Sequence, residues 1–259
     1  MATYSFKLAY NGANYAGFAK QGGGVTTVQG TVDAALAAAL RLPDVPTVCA
    51  GRTDAGVHAA GQVVSFEVGS ELTGDDLRTL MRSLNALTPP DIAIRDLRRE
   101  HDGFSARFDA RARHYCYRIA CGATPPVFSA AYAWHVPRQP DVQAMQQAAR
   151  HLVGEHDFRS FCVATSARML QEDGRSTCRR VDSVQVADDV LFGEPLLTID
   201  VTGNAFLHSM VRVMVGTLVE VGLGRMPADA IPDVLAAGDR RAAGPTAPAH
   251  GLMLVDVTY

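Results

Sequence analysis

The sequence has very few lysines and no excess of positive charge. Only Lys7 and Lys20 are lysines among the 24 basic residues, so the remaining basic side chains are arginines. The formal net charge is -3. This balance excludes a uniformly basic nucleic-acid coat or a polybasic membrane binder, although arginine suits bidentate contacts with phosphate and carboxylate groups.

Cysteines and long apolar runs are also scarce. The five cysteines contain no C-x-x-C, which excludes a disulfide framework and a zinc ribbon. The N-terminus lacks a basic region followed by an apolar core. The most apolar stretch, residues 206–223, carries His208, Arg212 and Glu220 and does not predict a membrane span. We expect a reduced, cytoplasmic protein that has no contact with the membrane.

Several common catalytic motifs are missing. The sequence contains no Walker loop, no G-x-G-x-x-G, no H-E-x-x-H, no G-x-S-x-G and no zinc deaminase signature. No histidine has the spacing of a metal ligand to a carboxylate or cysteine. We therefore expect neither a nucleotide cofactor nor a metal.

The length and the hydrophobic periodicity predict two α+β domains. The 259 residues, 47% of them hydrophobic, can bury a large core in one or two domains. Similar runs of strands and helices occur in each half, so we place the domains at residues 1–108 and 109–259. Strands are predicted at residues 4–10, 62–68, 92–97, 114–119, 180–186, 196–201 and 252–257, and helices at 28–40, 75–87, 142–153, 205–221 and 229–237.

One loop concentrates reactive side chains between closely spaced glycines. Gly51 and Gly56 flank Arg52, Thr53 and Asp54, and such glycines permit positive φ angles and the close approach of other groups. Asp54 has two interpretations. Its carboxylate either accepts hydrogen bonds from nearby amides in an Asx turn, or stays ionised and acts on a substrate as a nucleophile. The spacing alone does not decide between them.

The same loop resembles a known family. Residues 50–58, A-G-R-T-D-A-G-V-H, are similar to the signature of the tRNA pseudouridine synthase A family. Further similar motifs follow in the family's order over nearly the whole chain. They lie at residues 10–18 (Y-x-G-x-x-Y-x-G-F), 27–29 (T-V-Q), 61–63 (G-Q-V), 104–108 (F-x-A-R-F), 115–117 (Y-x-Y), 154–161 (G-x-x-D-F-x-S-F), 204–212 (N-A-F-x-H-x-M-V-R) and 251–254 (G-L-x-L).

The resemblance implies a fold, a reaction and a partner. The fold would be α+β, with two RRM-like or ferredoxin-like domains whose antiparallel sheets join into a pseudouridine synthase fold around a cleft. The reaction would isomerise uridine to pseudouridine in the anticodon stem-loop of transfer RNA, at positions 38, 39 and 40, without a cofactor. The family is homodimeric. Asn11 and Phe18-Ala19 depart from its usual residues, and residues 168–175 match none of its motifs.

The resemblance also assigns roles to individual residues. Asp54 would be the nucleophile, attacking the sugar or the base, or would abstract a sugar proton. Tyr115 would pack on the uracil and assist proton transfer, a role that the residues alone could equally give to Tyr117, since both lie on one strand face. Contacts with the substrate are expected from Arg52, His58, Gln62 and Leu252, where His58 could instead serve loop structure.

Arg212 lies in a helix that is apolar nearly all round. Ser209, Arg212, Gly216 and Glu220 form its only polar stripe. If this helix is buried, the arginine needs an anionic partner, because an unpaired buried charge is very costly. We expect Arg212 to pair with Asp54, as the resemblance implies. The alternative is that the stripe is simply the solvent face.

Local charge allows RNA binding despite the negative total. Residues 95–118 hold seven arginines against four acidic residues, and residues 159–180 hold five against two. Such stretches suit a phosphate backbone. Two alternatives remain: a synthase that acts on another RNA, and a non-catalytic RNA-binding protein with two RRM-like domains, although no RNP aromatic motif is present. A glycosidase would need a second catalytic acid, for which the loop offers no candidate.

Overall fold

The computed structural model describes all 259 residues and contains two compact units. The first comprises Met1–Arg113 with Leu254–Tyr259, and the second comprises His114–Met253. The domain boundary that we expect between residues 108 and 109 stays a prediction. The compact units instead divide after Arg113, and Leu254–Tyr259 return to the first unit.

The first unit is a sheet with two helices. Its strand order is β4-β1-β3-β10, with antiparallel pairing of β1 to both β3 and β4, and β2 also pairs with β3. The elements are β1 (Ala2–Tyr10), α1 (Val28–Leu40), β2 (Val48–Cys49), β3 (His58–Val68), α2 (Gly74–Leu87), β4 (Ile92–Arg99) and the final strand β10 (Leu252–Thr258), whose first two residues belong to the second unit.

Side-chain caps set where both helices of the first unit begin. Thr27 accepts a hydrogen bond from the amide of Gly30 at the start of α1. Thr73 and Asp76 form a reciprocal capping box at the start of α2. These caps explain why both helices begin within one residue of their predicted positions.

The second unit is a sheet with four helices. Its strand order is β5-β9-β8-β7, with antiparallel pairing of β8 to its two neighbours, and the short β6 also pairs with β5. The elements are β5 (Ala112–Cys121), whose first two residues belong to the first unit, β6 (Trp134–Val136), α3 (Val142–Arg150), β7 (Gly154–Asp157), α4 (Ala164–Glu172), β8 (Cys178–Leu191), β9 (Glu194–Gly203), α5 (Met210–Gly222) and α6 (Ile231–Ala237). None of the chain's helices is long and apolar enough to cross a membrane.

The structure confirms an α+β class and corrects several details. β6 runs parallel to β5, so the strands are mixed rather than purely antiparallel. The helix predicted from residue 205 begins only at Met210, because Ser209 has a φ of 58°, outside the helical region. Helix α4 overlaps the segment that matched no motif, and β2, β6 and β7 are too short to leave a periodic signal.

Candidate active site

The loop that carries Asp54 connects β2 to β3 in the first unit. We call residues 50–57 the Asp54 loop. Gly56 has a φ of 80°, which only glycine adopts without strain. The Val57 amide donates to the Asp54 carbonyl at 3.2 Å, closing the turn. The Asp54 side chain is half-buried, and its neighbour Arg52 is exposed, so this turn presents charged groups at its surface.

A second segment, residues 10–18, lies beneath the Asp54 loop. The Phe18 amide donates to the Thr53 carbonyl at 3.0 Å, and the hydroxyl groups of Tyr10 and Thr53 are 2.7 Å apart. Gly17 has a φ of 100°, and a Cβ there would stand 3.1 Å from the Thr53 oxygen. The first motif of the resemblance therefore supports the motif that carries Asp54.

Two side chains hold the backbone where the Asp54 loop begins. The amide of Gln62 donates to the Gly51 carbonyl at 2.5 Å and accepts from the Gly51 amide at 3.3 Å. Arg113 donates through Nε and Nη2 to the Ala50 carbonyl, at 3.1 and 2.8 Å. Sequence reasoning missed Arg113, because its partner is 63 residues away and no local pattern marks the contact.

His58 and Gln62, expected at the substrate, both lie inside the first unit. His58 is 2% exposed and Gln62 is fully buried. The Gly12 amide donates to His58 Nδ1 at 3.1 Å, which places the remaining ring proton of a neutral imidazole on Nε2. Substrate contact stays a prediction for both residues, and the bonds described favour a role in loop structure.

Arg52 is exposed, as a residue that meets RNA would be, and it lies near the buried thiol of Cys49. Burial raises the pKa of Cys49 to about 11, and the positive charge of Arg52 opposes that rise. All five cysteines have free thiols.

The structure distinguishes the two tyrosines of β5. Tyr117 is fully buried, and its hydroxyl donates to the Pro248 carbonyl at 2.8 Å. A Cβ at Gly251 would stand 2.6 Å from this ring. Burial raises the pKa of Tyr117, and Arg212 partly opposes the rise. The Tyr115 ring instead meets Phe206 edge-on, with centroids 5.3 Å apart. Tyr117 is thus part of the packing of the second unit.

A segment that we call the strap, residues 243–248, covers the middle of the polar stripe of α5. Arg212 Nε donates to the Ala247 carbonyl at 2.8 Å, and the Ala247 amide donates to the Arg212 carbonyl at 3.1 Å. The Gly244 amide donates to Thr217 Oγ1 at 2.9 Å. Gly216 is buried, and a Cβ there would overlap the Pro245 carbonyl oxygen. The middle of the stripe, at Arg212 and Gly216, is therefore covered, whereas Glu220 at its end is half-buried and pairs with the exposed Arg225.

The remaining predicted residue, Leu252, is buried at the start of β10. It belongs to the second unit together with Tyr115 and Arg212, whereas Asp54 belongs to the first. The ion pair between Asp54 and Arg212 stays a prediction. The structure assembles no group of three or more His, Cys, Asp or Glu side chains that could hold a metal ion.

The two arginine-rich stretches are partly neutralised within the fold. Each contains ion pairs between an arginine and an acidic residue two or three positions away. Exposed arginines of these stretches that form no ion pair, among them Arg107, Arg111 and Arg168, have charge available to an anion. The ion pairs are Arg98 with Glu100, Arg99 with Asp102, Arg159 with Asp157, Arg175 with Asp173 and Arg180 with Asp182.

Comparison with known proteins defines the class first. A family model described as tRNA pseudouridine synthase matches residues 8–109 and 148–259, which include the Asp54 loop, α5 and the strap. The match covers most of both units.

Full-length relatives then narrow the class. The chain is 43% identical over 259 residues to tRNA pseudouridine synthase A of Geobacter sulfurreducens, covering all of both chains. It is 40% identical over 253 residues to the protein of that name from Bacillus subtilis, covering 97% of each chain. A third, from Chloroflexus aurantiacus, is 44% identical over all of this chain and 89% of its own. The chain belongs to the tRNA pseudouridine synthase A family.

Proposed function

We propose that this protein isomerises uridine to pseudouridine in the anticodon stem-loop of transfer RNA. The observation that carries the proposal is the A-G-R-T-D-A-G-V-H segment. It forms a loop that contains Asp54 and is held by Gln62, in a chain that matches a tRNA pseudouridine synthase over its whole length. The reaction breaks the carbon–nitrogen bond between base and sugar and makes a carbon–carbon bond. Because it is an isomerisation, it consumes no second reactant.

Asp54 acts first in this proposal. Its carboxylate attacks the target nucleotide at the sugar or the base, or removes a sugar proton, and the detached uracil turns before it is rejoined through carbon. Asp54 must keep one orientation through these steps, and the tight turn closed by Gly56 and Val57 supports that. Arg52, exposed beside Asp54, contacts phosphate or holds the extruded nucleotide.

Tyr115 and Leu252 provide the surface for the uracil. The base must leave its stack at a cost of a few kcal/mol, which packing against an aromatic ring offsets. Tyr115 is the tyrosine for this role, because the hydroxyl of Tyr117 is bonded to the strap. Arg212 pairs with Asp54 and orients its carboxylate. The bond from Arg212 Nε to Ala247 limits the directions in which its guanidinium can point.

Family membership also supports a proposal for the assembly. We propose that the two units are RRM-like and enclose a cleft, and that two chains form a homodimer in the cytoplasm that binds transfer RNA across both subunits. A dimer doubles the positive surface that exposed arginines such as Arg107 and Arg168 supply. Binding through the phosphate backbone fits a substrate read by A-form shape more than by base identity.

Replacement of Asp54 tests the proposed function. We expect Asp54→Asn to abolish tritium release from transfer RNA that contains C5-tritiated uridine, because the amide is neither a nucleophile nor a base. Transfer RNA binding and the unfolding transition of the variant should stay near those of the unchanged protein. Substantial tritium release by Asp54→Asn would rule out the assigned role. A deletion strain whose anticodon stem-loops keep their pseudouridines would rule out the substrate.

A further inference from the structure

The short β2 ends immediately before the Asp54 loop, so the backbone there has little support from the sheet. β2 pairs with β3 only at Val48 and Cys49, and the Ala50 amide adds one bond to the Val63 carbonyl at 2.9 Å. One residue later, Gly51 stands next in register, opposite Gln62. This is the point at which the chain leaves the sheet and turns towards Asp54.

Gln62 continues the pairing with its side chain. Its carboxamide donates to the Gly51 carbonyl and accepts from the Gly51 amide, which is the pattern that a neighbouring strand would offer. The side chain is fully buried, so water does not compete for these bonds. Gln62 thus extends the order of the sheet by one residue into the loop.

Arg113 holds the preceding carbonyl. Two of its guanidinium nitrogens converge on the Ala50 oxygen, while Nη1 donates to the Ala110 carbonyl at 3.0 Å and Nη2 also donates to the Arg107 carbonyl at 2.8 Å. Arg113 is only 7% exposed. Charge-assisted bonds from a planar fork are strong and directional, and the ammonium of a lysine cannot reproduce them.

These contacts join the start of the Asp54 loop to β3, through Gln62, and to the start of β5, through Arg113. Carbonyl groups of consecutive residues, Ala50 and Gly51, are each held by a buried polar side chain. A displacement of about 1 Å at a reacting group can cost on the order of 100-fold in rate. The bonds at Ala50 and Gly51 limit such displacement in Asp54, which lies three residues further on.

We propose that Gln62 and Arg113 are positioning residues that fix the start of the Asp54 loop and thereby the orientation of the nucleophile. Neither needs to touch the RNA for this role. The proposal rests on the function proposed for Asp54. Loss of either side chain lowers the rate of the chemical step while leaving transfer RNA affinity nearly unchanged.

The test combines a rate, an affinity and a local measure of order. The variants are Gln62→Met, which removes both hydrogen bonds at similar volume, and Arg113→Lys, which keeps the charge and loses the fork. Arg138→Lys is the matched control, because Arg138 is exposed, its side chain makes no hydrogen bond or ion pair, and it lies outside both arginine-rich stretches. Each full-length variant is assayed for single-turnover tritium release at saturating transfer RNA, for Kd by filter binding, and for amide hydrogen exchange over residues 50–57.

We expect Gln62→Met and Arg113→Lys to react about 10- to 100-fold more slowly, with Kd within about threefold of the unchanged protein. Amide exchange should accelerate in residues 50–57 more than in β3, and Arg138→Lys should match the unchanged protein. Unchanged exchange and rate in Gln62→Met, or a loss explained entirely by Kd, would overturn the proposal. If Arg113→Lys does not fold, the rate, Kd and exchange of Gln62→Met decide on their own.

The hydrogen exchange separates this proposal from the proposed function. If the unchanged protein releases no tritium, the proposed function fails, yet the exchange of residues 50–57 still reports whether Gln62 and Arg113 order the loop. If the unchanged protein is active and the exchange is insensitive to both substitutions, only the positioning role fails.

Discussion

Tyr115 and Tyr117 lie two residues apart on β5, and both are at least nine-tenths buried. Their surroundings differ nevertheless. The hydroxyl of Tyr117 is bonded to Pro248, whereas the Tyr115 ring lies against Phe206. The family motif favoured Tyr115 for contact with the uracil, and the bond to Pro248 supports that choice by giving Tyr117 a structural role.

Matched phenylalanine variants distinguish the two tyrosines. Tyr117→Phe leaves the Pro248 carbonyl without this donor, so we expect it to lower the free energy of unfolding by about 1–2 kcal/mol with a small effect on rate. Tyr115→Phe should lower the single-turnover rate more than the stability, because the phenol assists proton transfer. Urea unfolding and tritium release measure both effects. The reverse pattern would transfer the active-site role to Tyr117.

Glu194, at the start of β9, should make the stability of the fold depend on pH. Its carboxylate accepts hydrogen bonds from Ser129 Oγ at 2.6 Å and from the amides of Val127, Phe128 and Ser129. The bond from the Ser129 side chain, followed by those from the amides, lowers the pKa of Glu194 to about 2. A carboxyl whose pKa is depressed in the folded state stabilises the fold above its unfolded pKa.

We therefore expect the contribution of Glu194 to be complete above pH 4.5, the ordinary pKa of this group, and to be lost as the pH falls towards 2. Glu194→Gln should unfold at lower urea than the unchanged protein at pH 6, and the difference should shrink between pH 4.5 and pH 2. The measurement is urea unfolding of both proteins across that range. A difference that stays constant with pH would contradict the assignment.

At the scale of elements, the contact between α5 and the strap determines how Arg212 is held. Arg240 adds bonds from Nη1 to the Gly244 carbonyl and from Nη2 to Thr246, so the strap is held from both sides. The backbone of α5 approaches the strap closely because Gly216 has no side chain. Local periodicity predicted the helix, whereas this long-range contact has no signal in the sequence around Arg212.

Gly216→Ala tests this contact. Alanine usually stabilises a helix interior by about 1 kcal/mol relative to glycine, but here the new Cβ would overlap the Pro245 carbonyl oxygen. We expect destabilisation by about 1–3 kcal/mol and a slower reaction, because the strap must move away from Arg212. Gly74→Ala is the control, since its Cβ would meet only Arg78 Nη1, at 3.9 Å. Equal effects at the two positions would contradict a tight strap contact.

The elements and boundaries that the sequence did not predict lack a local hydrophobic signal, each for its own physical reason. β2 and β6 contain two and three residues and so show too few alternations to detect. Helix α4 buries only Ala167, so it has almost no apolar stripe. The late start of α5 depends on the left-handed backbone of Ser209, which the surrounding apolar residues conceal.

At the scale of the whole molecule, the charge available to an anion depends on which arginines form ion pairs more than on the net charge of the chain. The chain has a formal charge of -3, and many of its arginines are paired with a nearby acidic residue. Arg107 differs, because it is exposed and lies over the Phe108 ring, 5.4 Å from its centroid, without an ion pair. Unpaired arginines of this kind supply the charge that phosphate contacts need.

We expect the affinity for transfer RNA to fall steeply with salt despite the negative net charge. Arg107→Gln should reduce the slope of log affinity against log salt concentration by about 1, because one phosphate contact is lost. Arg98→Gln should change the slope less, since Arg98 is bound to Glu100 at 2.7 Å. Filter binding at several salt concentrations measures both. An unchanged slope in Arg107→Gln would exclude Arg107 from the RNA-binding surface.

The sequence by itself determined the family, the α+β class, most strands and helices, and the loop that carries Asp54. It could do so because these depend on contiguous motifs and on local hydrophobic periodicity. Only the tertiary structure decided that Gln62 and Arg113 hold the Asp54 loop, that Tyr117 is bonded to the strap, and that the strap covers α5 at Arg212. Each of these is a contact between residues distant in sequence, and such contacts depend on how the whole chain packs.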